Sequence, residues 1–347
     1  MNKILYDDVL TVAKNIPEEL YGGKILITGA TGLLGSILVK GICELNRQIQ
    51  NKITVFANCR NQQKYEAVFS EYTNEFLIPV IGDIVSVDFS SFDFDYVIHT
   101  ASITDSKTFV DSPVETIETA IYGTNNLFKA CVHKNIKSFI YLSSLEVYGT
   151  FNTDDVKNIY ETDYGFIDHL NVRSSYSEGK RMVECLCRSY SAEYNVPVVI
   201  ARLSQTFGPG IQYNDNRVFA QFARAVIEKK DIILKTKGET VRNYCYTTDA
   251  ISALFCLLVK GKKGEAYNIA NKKTTISIID MAKKYCSLFD DSESKVIFDI
   301  SEDVTKIGYN PTVKIQLDTS KIEQLGWQAQ TDFEEMIKRL VEYMKCL

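Results

Sequence analysis

Short apolar runs alternate with longer amphipathic stretches through the first two hundred residues of the chain. Buried strands are short apolar runs, whereas helices repeat apolar residues at three- and four-residue spacing. The pattern predicts strands at 24–27, 53–57, 79–82, 96–99, 138–142 and 196–201, and helices at 36–45, 114–133 and 175–194. Apolar strands that alternate with helices indicate an α/β fold, a doubly wound parallel sheet covered on both faces.

The pattern changes near residue 202, where loops rich in Gly, Asn and Asp precede a predicted helix at 218–229 and then short mixed elements. The polar residues before the first strand predict a helical extension at 1–22. The change near residue 202 divides the rest of the chain into a dinucleotide-binding domain at 23–201 and a smaller mixed substrate-binding domain at 202–347. The chain is expected to return to the larger domain around 243–270.

Composition narrows the possible functions. The chain has 347 residues, 45% hydrophobic and 24% charged, with a net charge of -5, so it is globular and has no basic field for nucleic acid or an anionic membrane. Its longest apolar run, 253–259, is too short for a bilayer helix, and acids near the start argue against a signal peptide, so we expect a cytoplasmic protein. Nine scattered cysteines and three histidines predict reduced thiols and no metal site.

A glycine loop joins the first predicted strand to the first helix. It reads Thr28-Gly-Ala-Thr-Gly-Leu-Leu-Gly35, with glycines at 29, 32 and 35. Glycine at these places permits a tight turn, a close approach to a pyrophosphate and packing of the helix on the strand. The loop therefore predicts a Rossmann-type domain with a dinucleotide at the N-terminus of the helix.

The residues at the end of the second predicted strand ordinarily indicate whether NAD or NADP binds, and here they leave both cofactors open. A carboxylate for the ribose hydroxyls is expected there, but the sequence reads Phe56-Ala-Asn-Cys-Arg60. Because Arg60 suits a 2′-phosphate and also suits a solvated loop, NAD and NADP remain equally open. Asp83, at the third strand end, is positioned to reach the adenine amino group.

Tyr176 and Lys180 stand four residues apart on a predicted helix and so share one face. The preceding predicted strand ends in Ser143-Ser144. An ammonium beside a phenol favours the phenolate, so Lys180 is expected to lower the pKa of Tyr176 and make it a base.

These motifs, taken in order, resemble a known family. Thr-Gly-x-x-Gly-x-x-Gly, Gly-Asp-Ile, His-Thr-Ala-Ser, Ser-Ser-x-x-Val-Tyr-Gly and Tyr-x-x-x-Lys, spread over about 23–340, are similar to the extended short-chain dehydrogenase/reductases that act as nucleotide-sugar epimerases, dehydratases and decarboxylases. The resemblance implies a homodimer and a cofactor held by Gly29, Thr31, Gly32, Leu33, Leu34, Gly35, Asn58, Arg60, Asp83, Ile84, Thr100, Ala101, Ser102, Tyr176 and Lys180.

The resemblance also assigns catalytic roles. Tyr176 would take the proton of a sugar hydroxyl, usually at C4, while hydride passes to nicotinamide. Lys180 would bind the nicotinamide ribose, and Ser144 would hydrogen-bond the same hydroxyl. The product is a 4-ketone, which can be reduced from its other face, lose water across C5 and C6, or lose CO2 from a C6 carboxylate.

Two segments bear on that choice. Leu142-Ser-Ser-Leu-Glu-Val-Tyr-Gly149 resembles a dehydratase segment, with Glu146 at its glutamate but Leu145 at the aspartate that protonates the leaving hydroxyl. Arg173-Ser-Ser-Tyr-Ser-Glu-Gly-Lys-Arg181 is similar to UDP-glucuronate decarboxylases, in which an arginine matching Arg217 lies near the sugar carboxylate. We therefore expect a 4-epimerase/dehydratase-type enzyme, with a decarboxylase as the alternative.

The C-terminal part supplies candidate phosphate contacts. Gln205 stands where the family has a phosphate-binding asparagine, and Arg242 matches an arginine that grips the nucleotide diphosphate. Two other functions stay open. The first is an NADPH-dependent carbonyl reductase. Arg60 favours this function because it suits a 2′-phosphate, whereas Arg242, which matches a diphosphate-binding arginine, argues against a substrate that is not a nucleotide. The second is a regulatory protein that binds the cofactor without turnover. The presence of all three candidate catalytic residues, Ser144, Tyr176 and Lys180, argues against it.

Overall fold

The structure is a computed structural model, and it describes residues 2–72, 74–300 and 312–347. The strands in these ranges are β1 (Lys24–Thr28), β2 (Thr54–Cys59), β3 (Leu77–Ile81), β4 (Tyr96–His99), β5 (Ser138–Ser144), β6 (Lys157–Ile159), β7 (Val198–Leu203), β8 (Gln205–Phe207), β9 (Ile232–Leu234), β10 (Val241–Tyr246), β11 (Ala266–Ile269), β12 (Asn271–Ser277), β13 (Val296–Phe298) and β14 (Ile315–Leu317).

The α-helices in the same ranges are α1 (Lys3–Lys14), α2 (Leu33–Asn46), α3 (Gln62–Phe69), α4 (Thr108–Asp111), α5 (Pro113–Val132), α6 (Ser175–Glu193), α7 (Val218–Ile227), α8 (Thr247–Lys260), α9 (Ile278–Leu288), α10 (Ser320–Glu323) and α11 (Phe333–Met344). Each strand and helix that the sequence predicts from residue 24 onward is present, with bounds that differ by three residues at most, whereas the helix of the predicted extension at 1–22 covers only Lys3–Lys14.

The central sheet has seven parallel strands in the order β11-β7-β5-β4-β1-β2-β3. Neighbouring positions of β1 enter different cores, because Ile25 and Ile27 join the apolar cluster on one face and Leu26 joins the cluster on the other. Both faces are therefore buried, as expected for a Rossmann-type doubly wound fold. This order also brings the ends of β1, β4 and β5 side by side.

The smaller mixed part consists of short sheets, built from strands that follow β7 and from β6, which precedes it. One has the order β12-β10-β8, with β10 parallel to β8 and antiparallel to β12, and two further pairs join β13 to β9 and β14 to β6. The strand β11, inside the range where the chain is expected to return, completes the edge of the central sheet. The predicted substrate-binding range includes 301–311, which lie outside the described residues.

The N-terminal helix α1 is amphipathic, although its sequence suggested a polar segment. Its apolar face, including Val9 and Val12, is buried, and Val12 packs so closely on α2 that a Cβ atom on Gly41 would collide with it. The buried Asp8 of α1 accepts hydrogen bonds from Arg339 at 2.6 Å and from the Tyr246 hydroxyl at 2.7 Å. These contacts tie α1 to α11 and to the end of β10.

Two further features bear on function. No helix in the described ranges has the length and apolar character that a membrane span requires. Across those same residues, no group of three or more His, Cys, Asp or Glu side chains is arranged to bind a metal ion.

Candidate active site

The glycine loop lies between β1 and α2, against the segment that follows β4. Gly29 has a positive φ of 64°, and a Cβ atom there would lie 2.8 Å from the backbone of Ala101. A Cβ atom on Gly35 would collide with the carbonyl oxygen of Gly29. Both positions therefore require glycine, because a side chain would separate the loop from its neighbours.

The first turn of α2 is suited to an anion. Its N-cap, Gly32, provides no side-chain cap, and the helix begins with Leu33, Leu34 and Gly35. Thr31 is half-buried beside it. Backbone N–H groups and the helix dipole favour negative charge at such a terminus. The loop and this turn together fit the pyrophosphate of a dinucleotide.

The end of β2 carries the two residues expected at the adenosine ribose. Asn58 is buried, and its amide donates to the carbonyl oxygens of Val80 at 3.0 Å and Gly82 at 3.2 Å. Arg60 is exposed and lies 3.7 Å from Glu115 of α5. The amide N–H groups of Asn58 therefore brace the sheet. The guanidinium of Arg60 has a weak, solvated partner, so its contact with a 2′-phosphate stays a prediction.

The loop after β3 holds the residues expected near adenine. The exposed Asp83 carboxylate accepts the backbone N–H of Val85 at 2.9 Å. Ile84 is buried, and it packs so closely on α5 that a Cβ atom on Gly123 would lie 2.7 Å from it. Asp83 thus caps its own loop, and its expected contact with an adenine amino group stays a prediction.

The segment after β4 is tied to the end of β1 by hydrogen bonds. The Thr100 hydroxyl donates to the carbonyl oxygen of Thr28 at 2.7 Å, and the Ala101 N–H donates to the Thr28 hydroxyl at 3.3 Å. The Ser102 hydroxyl donates to the backbone of the next residue at 3.2 Å. His99, which sequence reasoning did not single out, lies 2.7 Å from the Thr28 hydroxyl through Nδ1. These bonds fix the segment after β4 beside the end of β1 and the glycine loop.

Tyr176, Ser144 and Lys180 meet where β5 ends beside the first turns of α6. The Ser144 hydroxyl lies close enough to the Tyr176 phenol to act on its pKa, in the lowering direction. Lys180 is buried, its Nζ donates to the carbonyl oxygen of Leu142 at 2.7 Å, and the same Nζ lies 5.7 Å from the centre of the Tyr176 ring. The structure thus brings together the three residues that the sequence proposed for proton transfer.

The charge states of this group differ from the sequence expectation. Burial raises the pKa of Tyr176, and the nearby Glu146 carboxylate raises the pKa further. Burial lowers the pKa of Lys180 to about 8. The expected lowering of the Tyr176 pKa by Lys180 is therefore not produced by the protein's own groups, because desolvation outweighs the opposing interactions at the phenol.

Glu146 forms an ion pair that the sequence did not predict. Arg173 donates to both of its carboxylate oxygens, at 2.9 and 3.0 Å, and the Ser177 hydroxyl donates to one of them at 2.9 Å. Burial raises the pKa of Glu146, but Arg173 and Ser177 outweigh burial, and the resulting pKa lies below the ordinary value. Glu146 is thus held as a carboxylate.

Leu145 occupies the position of the dehydratase aspartate, and its side chain is 6% exposed. It belongs to an apolar cluster that includes Ile159, Ile315 and Leu317 from β6 and β14. The position is therefore part of a small core, as well as one wall of the adjoining cleft. No proton donor stands in the place of this side chain.

An aromatic residue missed by the sequence analysis covers Tyr176. The Phe109 ring, from α4, stacks on the Tyr176 ring with centres 4.3 Å apart and planes 9° apart. The Arg173 guanidinium lies 4.9 Å from the centre of the same Phe109 ring. The carbonyl oxygen of Phe109 accepts the Ser175 hydroxyl at 2.9 Å, which fixes α4 to the start of α6.

A cleft of about 760 Å³, measured with its open mouth, adjoins Glu146. Arg173 and Arg242 line this cleft. The Nε of Arg242 and the Oε1 of Gln205 are buried and have no hydrogen-bond partner in the described ranges. Such atoms are costly to bury alone, so both are suited to receive polar groups of a ligand.

Arg217, expected near a sugar carboxylate, is paired within its own loop. Asp215 accepts from its Nε and Nη2 at 3.1 and 2.6 Å, and its guanidinium lies 4.8 Å from the centre of the Phe219 ring. Arg217 also acts on the pKa of Tyr176, so it is near the site. A substrate carboxylate would have to compete with Asp215 for this guanidinium.

Residues 25–270 match the model of the family described as NAD dependent epimerase/dehydratase. The chain belongs to this family. A match over this range covers the glycine loop, Ser144, Tyr176, Lys180 and Arg242. The protein is therefore an enzyme of the epimerase/dehydratase type, with the Rossmann-type fold of that family.

Individual relatives include both reaction types. A dTDP-D-glucose 4,6-dehydratase from Bos taurus is 26% identical over 95% of this chain and 90% of its own. A UDP-glucose 4-epimerase from Thermotoga maritima has a TM-score of 0.78 and 23% identity, over 93% of this chain and 99% of its own. A UDP-glucuronic acid 4-epimerase from Bacillus cereus, solved with UDP-glucuronic acid and NAD, has a TM-score of 0.76 and 24% identity over 93% and 99%.

Within this epimerase/dehydratase site, sequence reasoning missed Arg173, Ser177 and Phe109. Arg173 stood in a quoted motif, three residues before Tyr176, without a role. Ser177 follows Tyr176 directly, so its nearness to the base could have suggested a polar contact. Phe109 gave no signal, because a single aromatic residue in a polar loop is ordinarily core packing.

Proposed function

We propose that this protein oxidises the C4 hydroxyl of a nucleotide-diphosphate sugar with bound NAD and returns hydride to the opposite face, a 4-epimerisation. The observation that carries the proposal is the meeting of Ser144, Tyr176 and Lys180 at the end of β5, beside a glycine loop that fits a dinucleotide. Among the described residues, the unpartnered Nε of Arg242 is a donor and supports a diphosphate-bearing substrate, while the unpartnered Oε1 of Gln205 can accept from a hydroxyl or N–H of that substrate.

The proposed reaction uses Tyr176 as the proton carrier. The Tyr176 phenolate takes the C4 hydroxyl proton and becomes the phenol, while Ser144 donates a hydrogen bond to the same C4 oxygen. Bound NAD supplies the hydride acceptor and later the hydride donor. Lys180 would hold the nicotinamide ribose, and its ammonium would stabilise the Tyr176 phenolate once the substrate and the cofactor are bound. After the ketone turns its other face to the hydride, Tyr176 returns the proton.

Epimerisation is favoured over dehydration by the residues around Glu146. Leu145 provides no acid for a leaving C6 hydroxyl, and Glu146 is committed to Arg173. The decarboxylase alternative requires Arg217 to bind a C6 carboxylate, although Asp215 occupies its guanidinium.

NAD is the proposed cofactor, rather than NADP. The family is described by its dependence on NAD, and the Bacillus cereus neighbour was solved with NAD. Arg60 is exposed and faces Glu115, whose negative charge would repel a 2′-phosphate.

A cytoplasmic location is also proposed. Nine free thiols and the proposed nucleotide-sugar substrate support it.

A homodimer is proposed through α5 and α6, which pack side by side. Val114 and Tyr122 of α5 are 66% and 54% exposed, and Met182 of α6 is 55% exposed. Large apolar side chains on one exposed face are typical of a contact between copies. Sedimentation analysis should show a dimer that Met182→Glu converts toward monomer. A monomeric unmodified protein would contradict this part of the proposal.

The function is tested with UDP-, dTDP- and CDP-glucose and UDP-glucuronate, with products analysed by NMR. At least one of the three neutral sugars should equilibrate at C4 without net change in the bound cofactor. Tyr176→Phe should lower turnover ~10²-fold or more while cofactor binding persists. Formation of a 4-keto-6-deoxy sugar, or of CO2 from UDP-glucuronate, would replace epimerisation by dehydration or decarboxylation.

A further inference from the structure

We propose that Arg173 is a specificity-determining residue that prevents the 4-ketone from losing a neighbouring proton, because it holds the Glu146 carboxylate in a two-pronged ion pair. This inference rests on the proposed oxidation at C4. Glu146 would then act as a fixed charge in the site, and its role as a proton acceptor would be suppressed.

The ion pair is short and sheltered. Both guanidinium N–H prongs meet both carboxylate oxygens, at 3.0 and 2.9 Å, and Ser177 adds a third hydrogen bond. The side chains of Arg173 and Glu146 are only 12% and 20% exposed. A planar guanidinium matches a carboxylate in this geometry, and limited exposure to water reduces screening of the pair.

The aromatic packing restricts the movement of Arg173. Its guanidinium lies against the Phe109 ring, which is itself 2% exposed and stacked on Tyr176. Moving Arg173 away from Glu146 would therefore disturb the ring that covers the proton carrier. The ion pair and the position of Tyr176 are coupled through Phe109.

The placement of Glu146 makes its basicity important. Its carboxylate is near enough to Tyr176 to raise the pKa of that phenol, so it lies close to a sugar whose C4 faces Tyr176. A 4-ketone acidifies the hydrogens on C3 and C5. If Glu146 took one, the C–H bond would break, its electron pair would form the enolate, and the carboxylate would become a carboxylic acid.

An ion-paired carboxylate is a poor acceptor for such a proton. Protonation of Glu146 would cost the charge-assisted bonds to Arg173, and a base of lowered pKa removes protons more slowly. The ketone then survives until hydride returns. Arg173 thereby separates epimerisation at C4 from reactions that begin at C5.

The experiment measures deuterium entry in D2O with UDP-4-keto-6-deoxyglucose, a ketone that needs no prior oxidation, and the holoenzyme. The unmodified protein should leave C3 and C5 protonated. Arg173→Met should incorporate deuterium at least ~10-fold faster, and adding Glu146→Gln to that variant should abolish the gain. Arg188→Met is a matched control, because Arg188 lies on α6, the helix that follows Arg173, and donates to the Gly264 carbonyl at 2.8 Å.

Several results would overturn the inference. Rapid exchange by the unmodified protein would mean that Glu146 is a working base despite its ion pair. A folded Arg173→Met without faster exchange would mean that Arg173 is not the restraint. If that variant does not fold by circular dichroism, Ser177→Ala removes one hydrogen bond from Glu146 and should still raise exchange. Absence of C4 interconversion in any neutral nucleotide sugar would contradict the proposed function instead, since the ketone probe bypasses that step.

Discussion

Replacing Lys180 by methionine is expected to make the protein more stable and inactive. The Lys180 ammonium is buried in the Rossmann-type domain, with one carbonyl acceptor, Leu142, at 2.7 Å and the Tyr141 ring centre 4.8 Å away. Methionine has a similar length without charge. The substitution therefore removes an incompletely compensated buried charge while it preserves the packing.

The magnitude follows from the lowered pKa of Lys180. A fall in its pKa from 10.5 to about 8 on folding corresponds to about 3 kcal/mol of instability at pH 7. The methionine variant leaves the Leu142 carbonyl oxygen without its donor, which costs about 1 kcal/mol. The net gain in the free energy of unfolding is therefore about 2 kcal/mol at pH 7.

The pH dependence gives the sharper test. Below pH 8 Lys180 is charged in both the folded and the unfolded protein, so the difference in free energy of unfolding between the unmodified protein and the variant is constant. Between about pH 8 and 10.5 the unfolded chain binds more protons at this group than the folded protein, so the unmodified protein gains stability relative to the variant as pH rises. Urea unfolding of both proteins, stripped of cofactor, at pH 7, 8, 9 and 10 measures this difference. A variant that is less stable at pH 7, or a difference independent of pH, would refute the reasoning.

Three further predictions concern other parts of the chain. Asp8→Ala should lower the free energy of unfolding by about 3 kcal/mol, because the variant leaves Arg339 and the Tyr246 hydroxyl without their buried partner. Urea titrations measure this change, and a value below about 1 kcal/mol would contradict the prediction. Leu145→Asp should cost about 3 kcal/mol, since it places a carboxyl group in an apolar cluster, and should yield no 4-keto-6-deoxy sugar by NMR. Arg60→Ala should change NAD affinity less than about twofold by calorimetry, given its exposure, whereas a large selective loss of NADP binding would restore NADP.

The fold could be predicted because its strands are buried on both faces. Runs such as Ile25 to Ile27 supply apolar residues to both cores, so they appear in the sequence as uninterrupted apolar segments. The α1 helix was predicted less well. Its polar residues are prominent in the sequence, and the partner that buries Val9 and Val12 is α2, whose position depends on the tertiary fold.

The site was predictable where spacing along one element decides the geometry. Tyr176 and Lys180 share a helix face, and the glycine loop connects adjacent elements. The pairing of Arg173 with Glu146 joins residues 27 positions apart on different elements, which no local pattern specifies. The ion pair of Arg217 is local, since Asp215 stands two residues before it, and the sequence could have predicted it. The resemblance instead assigned Arg217 to a substrate carboxylate.

The contacts around Tyr176 have a common consequence for a reaction that passes through a ketone. The intermediate must exchange one proton at the C4 oxygen and none at the neighbouring carbons. For the first requirement, Ser144 lies beside Tyr176. For the second, Leu145 stands where an acid is expected, and Arg173 is ion-paired with Glu146. Both arrangements depend on burial, because water would screen the ion pair and hydrate the phenolate. Burial also lowers the pKa of Lys180 to about 8, so the low-dielectric surroundings that strengthen the Arg173–Glu146 ion pair disfavour the charged form of the lysine beside it.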